Sequence, residues 1–386
     1  MGKERVAVVG VGQTKHQATR GDVSLAGLVR EAAVRALEDA EMTWADVDAV
    51  VVGKAPDFFE GVMMPELYLA DALGAVGKPL FRVHTAGSVG GSTAIVAAQL
   101  VQAGIHERVL TVAFEKQSDS EAMWALSLPI PFQPPMHAGA GGYFAPHVRS
   151  YMARSKAPDH IGILVALKDR TNALKNPYAH LHEHDISFDS IKDSIMLWDP
   201  IRYAETCPSS DGACAMVLAS EAVADAAPGP VAWIHGTAMR SEPTMSADRD
   251  PVLPRGGADC ARDVFAQAGI TNPRRQVDCV EMYVPFSWFE PMWLENLGFA
   301  APGEGWRLVE DGVTQLDGDL PVNMSGGVLS SNPIGASGML RFAEAALQVR
   351  GRAGEHQVDG ARTAVGHAYG GGSQFFAMWV VGSDKP

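Results

Sequence analysis

The sequence predicts an α/β protein made of two halves that share one order of elements, the first interrupted by an inserted lobe. Three observations carry this. Short β-branched runs alternate with longer Ala/Leu-rich stretches along the chain, the mark of βα units and parallel sheets. The runs "RVLTVAF" and "RTAVGHAYG" each follow a helical stretch that closes in "QAG" or "VRG", so one βαβ unit is used twice. Residues 118–195 hold Pro, His and aromatic residues with no clean period, as an inserted, partly helical lobe would.

Taken in order, the strands of the first half are "RVAVVGVG", "VDAVVVGK", "LFRVHTAG", "RVLTVAFEK" and, after the lobe, "CAMVLAS", with helices near 23–40 and 91–104. The second half restarts at "PVAWIHGTAM" and continues through "VDCVEMYVPF", helices near 287–297 and 335–349, and finally "RTAVGHAYGGG" and "FFAMWVVG". The domain division is therefore 1–228 and 229–386. "VAVVGVGQTK" is not a dinucleotide fingerprint, because Lys15 stands where GxGxxG needs a small residue.

Composition bounds the function. With 47% hydrophobic and 20% charged residues, the chain of 386 residues is globular and long enough for a large core. Its formal net charge of −14 argues against broad nucleic-acid binding, which needs a basic face. Cys207, Cys214, Cys260 and Cys279 form no CxxC pair, so reduced thiols are expected. "MGKERVAVVG" is too charged for a signal peptide, and Val6 lacks the hydroxyl of a myristoylation motif. No apolar run approaches the ~20 residues of a membrane span. A cytoplasmic location is expected.

Five segments in order resemble the thiolase superfamily, in particular its lipid-transfer-protein or sterol-carrier-protein thiolase-like branch. "VAVVGVGQT" is similar to that branch's first strand, and "NPYAH" and "CPSSDGACAMVLAS" to its approach to the last strand of the first half. "VEMYVPFSWFEPMWLENLGF" resembles the segment with the His-Asp-Cys-Phe motif, "NMSGGVLSSNPIGASG" the Gly-His-Pro segment, and "GHAYGGG" the closing glycine loop. The resemblance implies duplicated βαβαβαββ halves in a five-layer αβαβα arrangement with an inserted loop domain.

The catalytic positions of that family are altered one after another. In "FRVHTAGSVGGSTAIVAAQLVQAG" the nucleophilic cysteine falls on Gly87; counting from "GSTA" alone would place Ser88 there. The His-Asp-Cys run becomes Tyr283, Val284 and Pro285, the Gly-His-Pro histidine becomes Asn332, and the last cysteine becomes Ala368, followed by Tyr369. Claisen condensation needs a thiolate to hold the acyl group and a base to raise it. Both are missing, so no acyl-enzyme is expected. What remains is a CoA-ester cleft with backbone amides of Gly87, Ser88, Gly370 and Gly371 to hold an enolate oxygen, and Tyr283, Tyr369 and Asn332 to handle protons and the thioester. His367 is read as bonding backbone or as a support.

An enolate forms without an acyl-enzyme in a retro-aldol cleavage, and a tyrosine serves as acid or base there if its pKa is shifted from ~10. The resemblance, to a subset that lacks the cysteines, implies cleavage of a steroid side-chain CoA ester of the 17-hydroxy-3-oxo-pregnene-carboxyl-CoA type. The products would be a 17-ketosteroid and propionyl-CoA. It also implies a partner with zinc-ribbon and OB-fold domains, and a homodimer paired at "LFRVHTAG", where an unpaired apolar edge would be a liability. No cofactor beyond the substrate's own CoA is expected. "HLHEHD" (His180, His182, His184) lacks a cage of further ligands and reads as a solvated or partner-facing loop. Arg149, Arg154, Lys156, Lys168, Arg170 and Lys175 suit CoA phosphates, or simply form a solvated helix face. The rival readings are a silent lipid- or acyl-CoA-binding or scaffold subunit, and an acyl transferase using Ser88.

Overall fold

The computed structural model describes residues 4–55, 61–62, 64–119, 139–243 and 249–386. Nine strands form one mixed sheet: β1 (Val6–Gln13), β2 (Ala49–Gly53), β3 (Leu80–Val83), β4 (Arg108–Lys116), β7 (Asp211–Ser220), β8 (Ala232–Ser241), β9 (Cys279–Glu281), β10 (Thr363–Gly370) and β11 (Phe375–Gly382). A separate ribbon, β5 (Met196–Trp198) with β6 (Ile201–Arg202), directly follows the lobe in sequence. The order across the sheet is β3-β2-β4-β7-β1-β8-β11-β10-β9.

This corrects the expectation of parallel sheets. Pairing is parallel only at β3-β2-β4 and β10-β9, and antiparallel across the middle. The βα rhythm of the sequence fixes helix-linked crossovers, but it is silent on β7 and β11, which return beside their neighbours. The duplication is plain in the order: β2-β4-β7-β1 of the first half matches β9-β10-β11-β8 of the second. The halves meet at a seam of two residue pairs, Ala7 with Trp233 and Val8 with Ala232. Where the second half would need a partner for β9 equivalent to β3, the described residues form only an isolated bridge, between Val280 and Val322.

Five layers result. Helix α1 (Leu25–Asp39) packs on β1 and β7 from outside, with Leu28, Ala32, Ala33 and Ala36 against Ala7, Val9 and Val217. Helices α2 (Val89–Gln102) and α7 (Ile334–Val349) lie between the two halves of the sheet and touch strands of both. Helix α5 (Arg255–Gln267) covers β8 and β11 from the far side. Strands sandwiched this way are buried on both faces, as β1, β7 and β11 are. The lobe supplies α3 (Gly139–Ser155) and α4 (Ile161–Ala173), and α6 (Phe289–Asn296) follows β9.

The two central helices are buried nearly all round, and the charges of the second, Arg341 and Glu344, are paired inside the protein. Their small residues let the backbones meet. A side chain on Gly90 would lie 2.4 Å from the Met339 backbone nitrogen and 2.9 Å from the Gly335 carbonyl oxygen. Backbone cannot swing aside as a rotamer can. Gly90→Ala is therefore expected to destabilise the protein by about 2–3 kcal/mol, and an unchanged urea-unfolding midpoint would contradict so close a contact.

Candidate active site

Four connections converge at the carboxyl ends of the strands, where α/β folds place their ligands. They are residues 84–88 between β3 and α2, 282–288 between β9 and α6, 331–333 ahead of α7, and 370–374 between β10 and β11. Ala86 turns the first loop in the left-handed region at φ 50°. A side chain at Gly87 would point into the site, 3.3 Å from Gly370 Cα and the Tyr369 carbonyl oxygen and 3.9 Å from Tyr283 Oη. Gly370 answers from the other side: a side chain there would lie 2.4 Å from the nitrogens of both Gly87 and Ser88. The two glycine loops touch backbone to backbone.

Tyr283 is held at both ends. Trp293 Nε1 donates to its carbonyl at 3.0 Å, and its hydroxyl donates to Asn332 Oδ1 at 3.4 Å. The same amide oxygen accepts from Ser337 Oγ at 2.7 Å. The Tyr369 ring stands perpendicular to that of Tyr283, 5.3 Å away, and stacks on Phe289 at 5.7 Å. Both tyrosines are 3% exposed. Burial pushes both phenols above their ordinary range, with Cys207 adding to the rise at Tyr283 and Tyr283 to that at Tyr369. Two neutral phenols therefore stand side by side in the site at physiological pH, with the Tyr283 hydroxyl beside the Gly87 loop.

The likeness to known proteins now has a geometry to rest on. Residues 237–383 match the family model described as thiolase C-terminal domain-like. An acetyl-CoA acetyltransferase of Methanothermobacter thermautotrophicus is 32% identical over 95% of this chain and 96% of its own length. The chain belongs to the thiolase superfamily. Human sterol carrier protein 2 is 30% identical over 98% of this chain and 72% of its own length, which places the chain in the sterol-carrier-protein thiolase-like branch. Among solved structures, the "Ltp2-ChsH2(DUF35) aldolase" is similar over 100% of this chain and 99% of that one, with TM-score 0.84 and 26% identity.

Against the thiolase pattern, the structure puts Gly87 at the centre of the site and turns Ser88 away from it. The Ser88 hydroxyl donates to the Thr85 carbonyl at 2.7 Å, lies 3.0 Å from Thr85 Oγ1, and is buried. Its N–H reaches the Thr85 carbonyl too, at 3.3 Å. Ser88 is thus neither presented as a nucleophile nor free to offer its amide, which corrects its assignment to the oxyanion loop. The amides of Gly87 and Gly371 have no backbone acceptor among the described residues. His367 lies behind Tyr369, its ring parallel at 6.4 Å, and neither ring nitrogen has a partner among the described residues. Burial lowers its pKa to about 3, so it is a neutral ring in an aromatic stack with Trp293 and Phe376. It bonds no backbone, contrary to expectation.

Sequence reasoning missed Cys207. Asn332 Nδ2 donates to its sulfur at 3.2 Å, and its own N–H reaches the Pro285 carbonyl at 2.9 Å. Nothing in "CPSS" signals that this segment folds back on residues 285–286; only the tertiary pairing of Thr206 with Phe286 does so. Burial raises its thiol to about 11, the reverse of an activated cysteine. His180 was also misread as solvated. Its Nδ1 lies 2.9 Å from Ser210 Oγ, which accepts the Asn332 N–H at 3.0 Å, so His180 braces the Asn332 loop. His182 bonds the Asn176 carbonyl, and His184 stays exposed. Four of the six basic residues are committed to acids: Arg149 to Asp199, Arg154 to Asp250, Arg170 to Glu183, and buried Lys168 to Glu290 and Asp169. Lys156 and Lys175 are exposed with no acidic partner among the described residues.

Native protein treated with iodoacetamide at pH 7.5 should label slowly, and at Cys207 alone, because Cys214, Cys260 and Cys279 are fully buried. Rapid labelling of any of those three, mapped by peptide mass spectrometry, would contradict the packing.

Proposed function

We propose that this protein is an aldolase that cleaves a β-hydroxyacyl-CoA thioester by a retro-aldol reaction. The observation that carries the reading is the perpendicular pair of buried, neutral phenols, Tyr283 and Tyr369, set beside glycine loops from which every family nucleophile has gone. The similar aldolase structure supports the reaction class.

The chemistry follows from those groups. One phenol accepts the β-hydroxyl proton as it passes its own proton to the other. The Cα–Cβ bond breaks, its electrons form the thioester enolate, and a ketone forms at Cβ. As it receives that proton, the second phenol gives its own to Cα, so both phenols end neutral. Amides of Gly87 and Gly371 hold the enolate oxygen, and Asn332 keeps the Tyr283 hydroxyl in place. A relay of this kind needs no free phenolate, which suits phenols whose pKa values burial has raised.

The apolar rings of Phe144, Phe286 and Phe289 around Tyr369 support a bulky ketone product. Together with the family resemblance, they point to a steroid side-chain ester of the 17-hydroxy-3-oxo-pregnene-carboxyl-CoA type, released as a 17-ketosteroid and propionyl-CoA. The similar Ltp2-ChsH2(DUF35) aldolase includes a DUF35 component, which supports a zinc-ribbon and OB-fold partner here. A homodimer through β3 is supported by its place at the sheet edge and by Phe81, 41% exposed, beside the short helix Glu66–Leu69, whose Leu67 and Tyr68 are also exposed. Among the described residues no helix is long and apolar enough to cross a membrane.

The test is to incubate the protein, with and without a zinc-ribbon partner, with β-hydroxyacyl-CoA esters of different bulk, and to assay for a ketone and a shortened acyl-CoA. Absence of a ketone in every arm would leave the silent binding subunit. Tyr283→Phe should lower kcat by ~10²–10⁴ with little change in ester binding, and Tyr369→Phe should act in the same direction. Because both pKa values are raised, the protonated, active phenols persist through neutral pH, and kcat should be flat between about pH 6 and 9. A rate that climbs with pH across that window would instead identify a phenolate base.

A further inference from the structure

The closing glycine loop has an unusual backbone. Gly371, Gly372 and Ser373 are all left-handed, with φ 62°, 65° and 59°, and Gln374 N–H closes the turn on the Gly370 carbonyl at 2.9 Å. This is one turn of left-handed helix, which L-residues disfavour and which only glycine adopts without penalty. Ser373 is the exception, and its buried hydroxyl has no hydrogen-bond partner among the described residues to offset the strain. As in any helical turn, the N–H groups point one way and the carbonyls the other. The N–H groups of Gly371, Gly372 and Ser373 have no backbone acceptor among the described residues.

The carbonyl end is occupied. Arg249 donates through one terminal guanidinium nitrogen to the Gly372 carbonyl at 3.0 Å and to the Ser373 carbonyl. Its side chain is only 7% exposed, and Glu242, 8% exposed, stands 3.8 Å from its Nε. Glu242 is fixed in turn by the Gly256 N–H and, through its own N–H, by the Gln374 carbonyl at 2.7 Å. Beside the turn, Tyr143 leaves no room for a side chain at Gly372, which would lie 3.0 Å from its ring.

We infer that Arg249 is a positioning residue: its guanidinium caps the carbonyl end of the left-handed turn at Gly371–Ser373 and so holds Tyr369 and the Gly371 amide on the reacting thioester. A cation at the carbonyl end stabilises aligned peptide dipoles, as it does at the end of an ordinary helix, and polarises the N–H groups at the other end. Glu242 keeps the cation in place. The inference rests on the aldolase reading for its catalytic meaning, while the cap itself is a property of the turn.

The experiment compares wild type with Arg249→Lys, Arg249→Gln and Arg249→Ala. Steady-state cleavage should show kcat lowered ~10–100-fold in the Gln and Ala variants, with KM for the CoA ester changed far less, since misplaced groups cost rate rather than binding. Guanidinium at millimolar concentration should partly restore Arg249→Ala and leave Tyr283→Phe unchanged. Amide hydrogen exchange should quicken at residues 370–374 in the Ala variant, with the rest of β10 and β11 still protected. Exchange unaltered at 370–374 would overturn the inference, as would kcat unaltered in the Gln and Ala variants. Exchange raised throughout the protein in every variant, Arg249→Lys included, would overturn it too by making Arg249 a general stabiliser. If the wild type cleaves none of the esters, the aldolase reading falls, and exchange at 370–374 alone decides whether Arg249 caps the turn.

Discussion

The rest of the molecule depends on how closely two helix backbones approach inside the protein. Where α2 crosses α7, Gly90 meets Met339 and Gly335, and Gly338 meets the Gly91 nitrogen and the Ala368 methyl group. No side chain separates them. This contact sets the spacing of the two sheet halves. It also sets the height at which the Gly87 loop, at the head of α2, meets the 370–374 turn at the end of β10. Wider spacing would part the two loops, and the space facing Tyr283 would open to water. The glycines are thus as much part of the site as the tyrosines, although they touch nothing reactive.

Behind the site the loops are fixed by buried charge. Glu281, two residues before Tyr283, accepts from the Ser325 N–H and hydroxyl and pairs with Arg341 of α7. On the same helix Glu344 pairs with His356 at 2.9 Å and accepts from Gln13 of β1 at 2.6 Å. Lys168 of α4 bonds Glu290 at 2.6 Å at the start of α6. Buried pairs such as these contribute little net stability, because desolvation offsets their attraction, but removing one partner is costly. Their effect is to make one arrangement of the loops far better than its neighbours, because any other leaves a buried charge without its partner.

Much of this could be read from the chain, and the limits have physical reasons. The alternation of apolar runs exposed the strands and the duplication, because burial on both faces writes continuous β-branched segments. It could not reveal that β7 and β11 run antiparallel, since strand direction leaves no mark on composition. Gly87, Tyr283, Asn332 and Tyr369 were found by the places they occupy in a family pattern, and the structure brings all four together. Cys207 and His180 were missed for the opposite reason. Each acts through one contact made by a distant segment, Cys207 through the Asn332 amide and His180 through Ser210, and no local spacing encodes such a contact. The direction of the tyrosine shifts was equally hidden, since it comes from burial among Phe289, Trp293 and Phe376 rather than from adjacent residues.

The seam at β1 has a consequence for how the chain comes to fold. β1 pairs along its length with β7, so the first strand made waits for residues 211–220, with the whole lobe made in between. Helix α2, buried over most of its surface, waits longer, for α7 near the far end of the chain. Contacts so distant in sequence form late and slowly, and they leave apolar surface bare meanwhile. Gly87, Cys207, Tyr283, Asn332 and Tyr369 lie on five separate stretches that these late pairings bring together. A chain stalled partway through synthesis would hold a fragment of sheet and none of the site: completion of the fold and assembly of the site are the same event.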